Sequence, residues 1–253
     1  MKPAPFAYHL AASVDDAVRT LAEAGGDAKV IAGGQSLAPL LNLRLARPSL
    51  LVDVNRIAGL DGIDRHAASV RVGALVRHAA LVRQDAHPLL AEAARFVGHP
   101  AIRTRGTLGG SLAHADPAAE LPVVAVALGA VAHVQGPAGA RTLPAGELFT
   151  GPLQTALRPD ELIVAVDFPL PDTWGFAEFS RRHGDFALAL AATARFGDET
   201  RIAVGGVAGT PLLLAGASEL ERAPAFGDVH GPAEYRRALA AECVRRASER
   251  MRP

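Results

Sequence analysis

The sequence predicts an α+β protein, and three observations along the chain support this fold class. Short apolar strands alternate with helical segments over residues 1–57, as in a β-α-β unit with a covered parallel sheet. From about residue 61 the pattern changes to strand pairs that could form hairpins, together with further helical segments. The last long pattern, over residues 232–250, is a helix rich in Ala, Glu and Arg.

The first helix is predicted over residues 13–25 from its start signal and its apolar stripe. Ser13 is a suitable N-cap, Asp16 follows three residues later, and Gly25-Gly26 ends the pattern. The apolar stripe is formed by Val14, Ala17, Val18 and Leu21. The other predicted elements of this unit are a strand at 29–32, a helix at 36–45 and a strand at 50–54.

The same periodicities predict the elements of the remaining chain. Asp116 and Pro117 have the properties of an N-cap and a first helical residue, which places Glu120 in the first turn of that helix. The further elements are strands at 62–67 and 69–74, helices at 76–84 and 88–97, strands at 130–135, 141–143 and 161–168, a linker at 169–175, and strands at 176–182, 187–196 and 201–207.

Composition and charge exclude several classes of function. The 253 residues are 49% hydrophobic and 21% charged, with 26 basic against 26 acidic side chains, so no polyanion-binding surface is indicated and nucleic acid is disfavoured. The longest uncharged apolar stretch, 121–134, is too short for a membrane span, and the N-terminus lacks a secretory signal, so a cytoplasmic location is expected. Cys243 is the only cysteine, which excludes a four-cysteine iron–sulfur cluster in this chain.

Two glycine turns are the strongest candidates for a binding site. The first is Gly33-Gly34-Gln35-Ser36, between a predicted strand and a predicted helix, and the second is 107–111, Thr-Leu-Gly-Gly-Ser. Glycine permits positive φ and close backbone approach, so that amides can converge on an anion without a lysine. Each turn taken alone is more simply an ordinary tight turn. Two together suit the two phosphates of a dinucleotide, although neither a P-loop nor a G-x-G-x-x-G fingerprint is present.

Other candidate residues are weaker. The histidines His99, His114 and His183 lie near glycines, but their spacing matches no metal motif, and a turn or surface role is favoured. Ser36 and Ser111 lack the G-x-S-x-G elbow of a nucleophilic serine. The segment 180–186, Ser-Arg-Arg-His-Gly-Asp-Phe, is either a solvated turn or a polar lid beside a ligand. No catalytic acid or base and no metal ligand is assigned.

Several segments resemble, in the right order, the FAD-binding medium subunit of the xanthine dehydrogenase/carbon monoxide dehydrogenase family of molybdenum hydroxylases. The two specific segments are 32–57, which contains AGGQS, and 99–122, which contains HPAIRTRGTLGGS and DPAAELP. The segments 180–189, 202–211 and 234–247 are similar to that family's C-terminal domain. The resemblance covers nearly the whole chain.

The resemblance implies a vanillyl-oxidase-like (PCMH-type) fold with two FAD-binding subdomains and a small α+β C-terminal domain. The implied boundaries are 1–170 for the FAD-binding domain, with subdomains of about 1–57 and 58–170, and 175–253 for the C-terminal domain. The two turns would bind the FAD pyrophosphate through backbone amides, with acidic residues near the flavin or ribityl group. The implied cofactor-binding residues are Ala32, Gly33, Gly34, Gln35, Ser36, Thr107, Gly109, Gly110, Ser111, Asp116 and Glu120.

The resemblance also implies a division of labour between chains. FAD would lie in this chain, molybdenum-molybdopterin in a large subunit and [2Fe-2S] clusters in a small subunit, in a dimer of heterotrimers. This chain would pass electrons from the clusters to an external acceptor. Two alternatives are a self-sufficient flavin oxidase or reductase on the same fold and a binding protein without redox chemistry. The segment before the last helix is short for the family, and Phe186 stands where the family often has tyrosine.

Overall fold

A three-stranded parallel sheet begins the fold. In the computed structural model, which describes residues 2–253, β1 (Ala7–Leu10) and β2 (Ala28–Ile31) both pair with the central strand β3 (Leu50–Asp53). Met1, the first residue of the predicted domain 1–170, lies outside the described residues. The predicted β-α-β unit is confirmed, and β1 is an additional strand that the sequence analysis did not predict.

Two helices connect these parallel strands. The helix α1 (Val14–Glu23) begins as predicted, because the Ser13 hydroxyl accepts a hydrogen bond of 3.1 Å from the Asp16 amide. It buries Ala17, Val18 and Leu21 against the sheet, which confirms the predicted stripe. The short helix α2 (Leu37–Asn42) follows the first glycine turn, and the Ser36 side chain makes no capping bond to it.

A five-stranded antiparallel sheet forms the second region, in the order β4-β5-β10-β6-β7. The predicted hairpin of β4 and β5 is confirmed, and β10 lies between β5 and β6 at the centre. The strands of this region, with a small two-stranded sheet of β8 and β9, are β4 (Ile63–Arg65), β5 (Ser69–Gly73), β6 (Val131–Gly136), β7 (Gly139–Pro144), β8 (Phe149–Gly151), β9 (Gln154–Thr155) and β10 (Leu162–Pro169).

Six helices belong to the same region. They are α3 (His78–Arg83), α4 (Pro88–Phe96), α5 (Pro100–Arg103), α6 (Leu108–His114), α7 (Glu120–Leu128) and α8 (Ala145–Leu148). All residues of α7 are buried, as expected of a helix that is apolar on every face. The prediction that Asp116 caps this helix is wrong, because α7 begins at Glu120 and the Asp116 carboxylate accepts from the Ala118 amide in a local turn.

A four-stranded antiparallel sheet, a 3₁₀ turn and a long helix end the fold. The strands are β11 (Thr173–Phe179), β12 (Ala189–Phe196), β13 (Glu199–Gly205) and β14 (Leu212–Leu214), the 3₁₀ turn is Ala217–Glu221, and the helix is α9 (Ala233–Glu249). Residues alternate between two buried faces: Leu190 and Ala192 pack toward α7, whereas Ala189 and Ala191 pack toward α9. The predicted linker at 169–175 is too long, because Thr173 already starts β11.

Within residues 2–253, none of the helices combines the length and the apolar character that crossing a bilayer requires.

Candidate functional site

A cleft of about 750 Å³ lies where the three regions of the chain meet. One wall comes from the first parallel unit, another from the segment around α6, and a loop at 184–186 of the C-terminal region reaches the cleft as well. Its volume lies in the range of cofactor pockets. The eleven residues predicted as cofactor-binding all line it: Ala32, Gly33, Gly34, Gln35, Ser36, Thr107, Gly109, Gly110, Ser111, Asp116 and Glu120.

The first glycine turn offers unused amide donors to the cleft. No hydrogen bond within residues 2–253 engages the backbone N–H groups of Gly33, Gly34, Gln35 or Ser36. Gly34 has a φ of +71°, a left-handed conformation that favours glycine. A Cβ at Gly33 would clash with the carbonyl oxygen of Arg105, so only glycine allows this close contact between the two walls. Four successive backbone N–H groups without an acceptor are the donors that an anion-binding turn requires.

The second glycine turn uses its amides within the protein. The Leu108 and Gly109 amides donate to the carbonyls of Val76 (3.0 Å) and Ala74 (2.8 Å). Gly110 donates to the Thr107 hydroxyl at 3.2 Å, because Thr107 is the N-cap of α6. The predicted cup of free amides is therefore absent at Gly109 and Gly110 in this conformation.

Close packing explains the glycine at position 109. A Cβ there would lie 2.7 Å from the Cβ of Ala74, at the end of β5. The polar groups that this turn presents to the cleft are side chains, chiefly Ser111, whose hydroxyl has no hydrogen-bond partner among residues 2–253.

Two acidic residues, Asp116 and Glu120, continue this wall of the cleft. Glu120 is 7% exposed, and its burial, followed by the charge of Asp116, raises its pKa to about 7. Behind it, burial and the charge of Glu120 raise the pKa of Glu178 to about 9. Near neutral pH the Glu178 carboxyl is protonated and Glu120 is close to half-protonated. Glu120 can therefore donate a hydrogen bond into the cleft as well as accept one.

His78 is a buried residue of the cleft wall that sequence reasoning missed. Its ring nitrogen Nε2 lies 2.9 Å from the Thr107 carbonyl oxygen, and its amide donates to the Gly106 carbonyl. Burial lowers its pKa to about 4, so the imidazole is neutral at physiological pH and fixes the second turn through Nε2–H. No motif surrounds His78, so only the contact across 29 residues identifies it. Lys29 and Arg158, also missed, line the cleft as well.

The other sequence candidates take different places. His114 lines the cleft, as do Gly184, Asp185 and Phe186 of the segment 180–186, and Phe186 is 73% exposed at the mouth of the cleft. His99 packs against Gly184 of the same segment. Among residues 2–253 no group of three or more His, Cys, Asp or Glu side chains is arranged to hold a metal ion.

Comparisons with known proteins give one consistent family. Residues 4–171 match the family described as the FAD binding domain in molybdopterin dehydrogenase. The chain is 51% identical over 200 residues to the 6-hydroxypseudooxynicotine dehydrogenase complex subunit alpha of Paenarthrobacter nicotinovorans, covering 76% of this chain and 68% of that one. It is 41% identical over 276 residues to the nicotine 6-hydroxylase medium subunit of the same organism, covering 97% of each.

A solved structure extends the likeness to three dimensions. Carbon monoxide dehydrogenase from Hydrogenophaga pseudoflava, in a form that lacks the Mo-pyranopterin moiety of the molybdenum cofactor, contains a chain that superposes with a TM-score of 0.92. The identity is 36%, and the match covers 98% of each chain. The mixed helix and strand architecture described above is thus shared with that protein over nearly its full length.

Proposed function

The chain belongs to the family of FAD-binding domains of molybdopterin dehydrogenases, and we propose that it is the electron-transfer subunit of a molybdenum-containing hydroxylase or dehydrogenase. Its relatives are flavoprotein subunits of oxidoreductases, and it is identified as the flavoprotein component of this family. In this proposal FAD, when bound, takes electrons from [2Fe-2S] clusters in a partner subunit and passes them to an external acceptor.

The open amides of the first glycine turn carry this proposal. Gly33, Gly34, Gln35 and Ser36 would donate to the pyrophosphate, with close approach secured by the two glycines. Ser111 and the Thr107 hydroxyl would bind from the opposite wall, where Ala32, Gly109 and Gly110 shape the surface. Asp116 and Glu120 would contact the flavin or ribityl region by accepting, and in the case of Glu120 also donating, hydrogen bonds.

The proposed domain division follows the sheets. We assign 1–170 to a PCMH-type FAD-binding domain, with the parallel sheet in subdomain 1–57 and the five-stranded sheet in 58–170, and 175–253 to the C-terminal domain. The family match over residues 4–171 supports the end of the first domain, whereas β11 begins at Thr173 and moves the start of the C-terminal domain two residues earlier than 175. One buried core continues from α7 into β12, so the C-terminal domain is expected to stay packed against the cleft region.

The proposed partners are a large molybdopterin-binding subunit and a small [2Fe-2S] subunit, assembled as a dimer of heterotrimers in the cytoplasm. One relative is named as subunit alpha of a complex and another as a medium subunit, and these names support a place for this chain in a multi-subunit enzyme. The lone Cys243 supports placing the clusters in another chain, since such clusters need several cysteine ligands.

One pair of variants tests the binding site. Gly34→Val places a side chain on the donor turn, whereas Gly59→Val introduces the same residue at a glycine of similar φ (+79°) outside the cleft. Both variants carry comparable backbone strain. We expect Gly59→Val to retain stoichiometric FAD and Gly34→Val to be folded but colourless. Retention of stoichiometric FAD by Gly34→Val contradicts the assignment.

A second experiment tests the relay. The purified chain should accept electrons from dithionite, yet its flavin absorbance should persist anaerobically with a purine, another N-heterocycle, an aldehyde or carbon monoxide. Adding the molybdenum and iron–sulfur subunits, with the substrate of that complex, should bleach it. Rapid bleaching of the isolated chain by an organic substrate would replace the relay with a self-sufficient oxidase.

A further inference from the structure

Beneath the first glycine turn, a chain of polar side chains joins the two walls of the cleft. We propose that Asn55 and Arg77 are positioning residues that fix the Gly33 amide for cofactor binding, an inference that rests on the proposed FAD site. Asn55 follows β3 in the first parallel unit, and Arg77 directly precedes α3 in the second region. Neither residue lines the cleft, so neither is expected to touch the cofactor.

Asn55 fixes the peptide that carries the Gly33 amide. Its Nδ2 donates to the Ala32 carbonyl oxygen at 2.7 Å. In a planar trans peptide the C=O and the next N–H point in opposite directions. Holding the Ala32 carbonyl on the Asn55 side therefore turns the Gly33 N–H away from Asn55. That N–H has no acceptor among residues 2–253, so its orientation is set by the bond on the other end of the peptide.

Asp53 fixes Asn55 in turn. Its Oδ1 accepts from the Asn55 amide at 2.8 Å and from Asn55 Nδ2 at 2.6 Å, and its Oδ2 accepts from the Tyr8 hydroxyl. Asn55 thus has its side-chain donors and its acceptor engaged at once, which leaves it a single favoured orientation.

Arg77 connects this arrangement to the opposite wall. Its Nη2 donates to Asn55 Oδ1 at 2.7 Å, and its Nη1 donates to the Arg105 carbonyl oxygen. The Arg105 carbonyl is the group that a Cβ at Gly33 would strike. One planar guanidinium therefore holds both the residue that aims the Gly33 peptide and the carbonyl against which Gly33 packs. A lysine offers a single point of donation and cannot reproduce this fork.

The test is FAD titration of the full apo chain, followed by flavin fluorescence, well below the unfolding midpoint. Asn55→Ala and Arg77→Ala should each weaken FAD binding by about tenfold to a hundredfold. The double variant should bind FAD about as weakly as whichever single variant has the lower FAD affinity, because the two residues act as one unit. Arg77→Lys should restore only part of the affinity. Asn55→Leu, which approximates the shape and removes the donor to Ala32 without placing a second carboxylate beside Asp53, serves if the alanine variant does not fold.

The control is Arg71→Ala, which removes an arginine that bonds Asp167 outside the cleft. It should leave the FAD affinity at the wild-type value. Wild-type affinity in Asn55→Ala and Arg77→Ala, additive losses in the double variant, or an equal loss in Arg71→Ala overturns the positioning role. A wild-type chain that takes up no FAD overturns the proposed function, and the positioning role falls with it.

Discussion

The two glycine turns of the cleft have nearly the same sequence chemistry and opposite structural roles. In the turn at 33–36 the amides have no acceptor within residues 2–253, and the backbone faces the cleft. In the turn at 107–111 the amides of Leu108, Gly109 and Gly110 are all bonded within the protein. The first turn keeps its donors free, and the second turn holds β5, α3 and α6 together.

The difference shows that paired glycines do not by themselves define an anion site. What decides is whether another segment of the chain has already taken the amides. Ala74 and Val76 take those of the second turn, whereas Arg105 approaches Gly33 through its carbonyl and leaves the first turn's donors free. Each half of this comparison can be broken by a variant.

The largest effect is expected for Gly33→Ala. The new Cβ would collide with the Arg105 carbonyl, so the whole donor turn must move. We expect FAD affinity to fall roughly a hundredfold or more, and the free energy of unfolding to fall by about 1–3 kcal/mol. Gly146→Ala, at a glycine of α8 with open space around it, should leave the FAD affinity unchanged and should not lower the free energy of unfolding. Fluorescence titration measures the FAD affinity, and urea unfolding measures the stability. Unchanged FAD affinity in Gly33→Ala would show that FAD binding does not need the close contact of Gly33 with the Arg105 carbonyl.

The free energy of unfolding should depend on pH through Glu120 of the second wall. The first turn has no ionisable side chain and contributes no such dependence. Burial raises the pKa of Glu120 from its ordinary 4.5 to about 7. Between these values Glu120 loses its proton in the unfolded chain and keeps it in the folded chain, so the contribution of Glu120 to stability falls as pH rises through this window and is constant above it. The loss is of the order of 3 kcal/mol.

Glu120→Gln should remove this loss. Glu178, whose pKa is raised from 4.5 to about 9, also ionises in this window only in the unfolded chain, but its contribution to stability is common to both proteins. His78 and His87, whose pKa values burial lowers to about 4, act in the opposite sense and are common to both proteins. The quantity to measure is therefore the difference in unfolding free energy between Glu120→Gln and wild type at pH 4.5 and pH 7.5. A difference that does not change with pH contradicts the buried, protonated state of Glu120.

A smaller effect on stability is expected for Thr107→Ala. The Thr107 hydroxyl caps α6 by accepting from Gly110, and loss of such a cap costs about 1 kcal/mol. Chemical denaturation of the apo chain measures this cost without the cofactor. Thr107→Ser, which retains the cap, is the control. Full stability in Thr107→Ala would mean that the second turn does not depend on its cap.

The smallest effect on stability is expected for Ser36→Ala. Ser36 makes no capping bond, and its exposed hydroxyl has no partner among residues 2–253. The free energy of unfolding should stay within about 0.5 kcal/mol of wild type. FAD affinity should nevertheless fall by up to about a hundredfold if the hydroxyl bonds a phosphate. Lower stability at unchanged affinity would reverse the roles given to the two turns.

Local signals predicted much of the fold. Ser13 and its apolar stripe identified α1, and alternating apolar residues identified most strands, because caps and periodicity depend on neighbours in sequence. The strand β1 was missed because its residues are largely exposed on a sheet edge and form no apolar run. The start of α7 was misplaced because Asp116 caps a local turn just as well as it could cap a helix.

The candidate site was predicted in position more fully than in detail. Motif chemistry and family resemblance identified eleven of the residues that line the cleft. They did not reveal that Ala74 occupies the Gly109 amide, that His78 supports Thr107, or that Arg77 reaches Arg105. Each of these contacts joins residues 28 to 35 positions apart, and no local pattern encodes them.

The packing of α9 on the last sheet has a practical consequence for studying the chain. Cys243 lies on the buried face of α9, is 2% exposed, and donates weakly to the Ala189 carbonyl of β12. Burial raises its pKa to about 12, and thiol reagents react with the thiolate. Labelling of the native chain by a maleimide should therefore proceed only when α9 separates from the sheet. Because there is one thiol, the rate at which the mass increases by a single adduct reports only the separation of α9 from the sheet. The change of this rate on addition of FAD measures the energetic coupling between the cleft and the C-terminal helix.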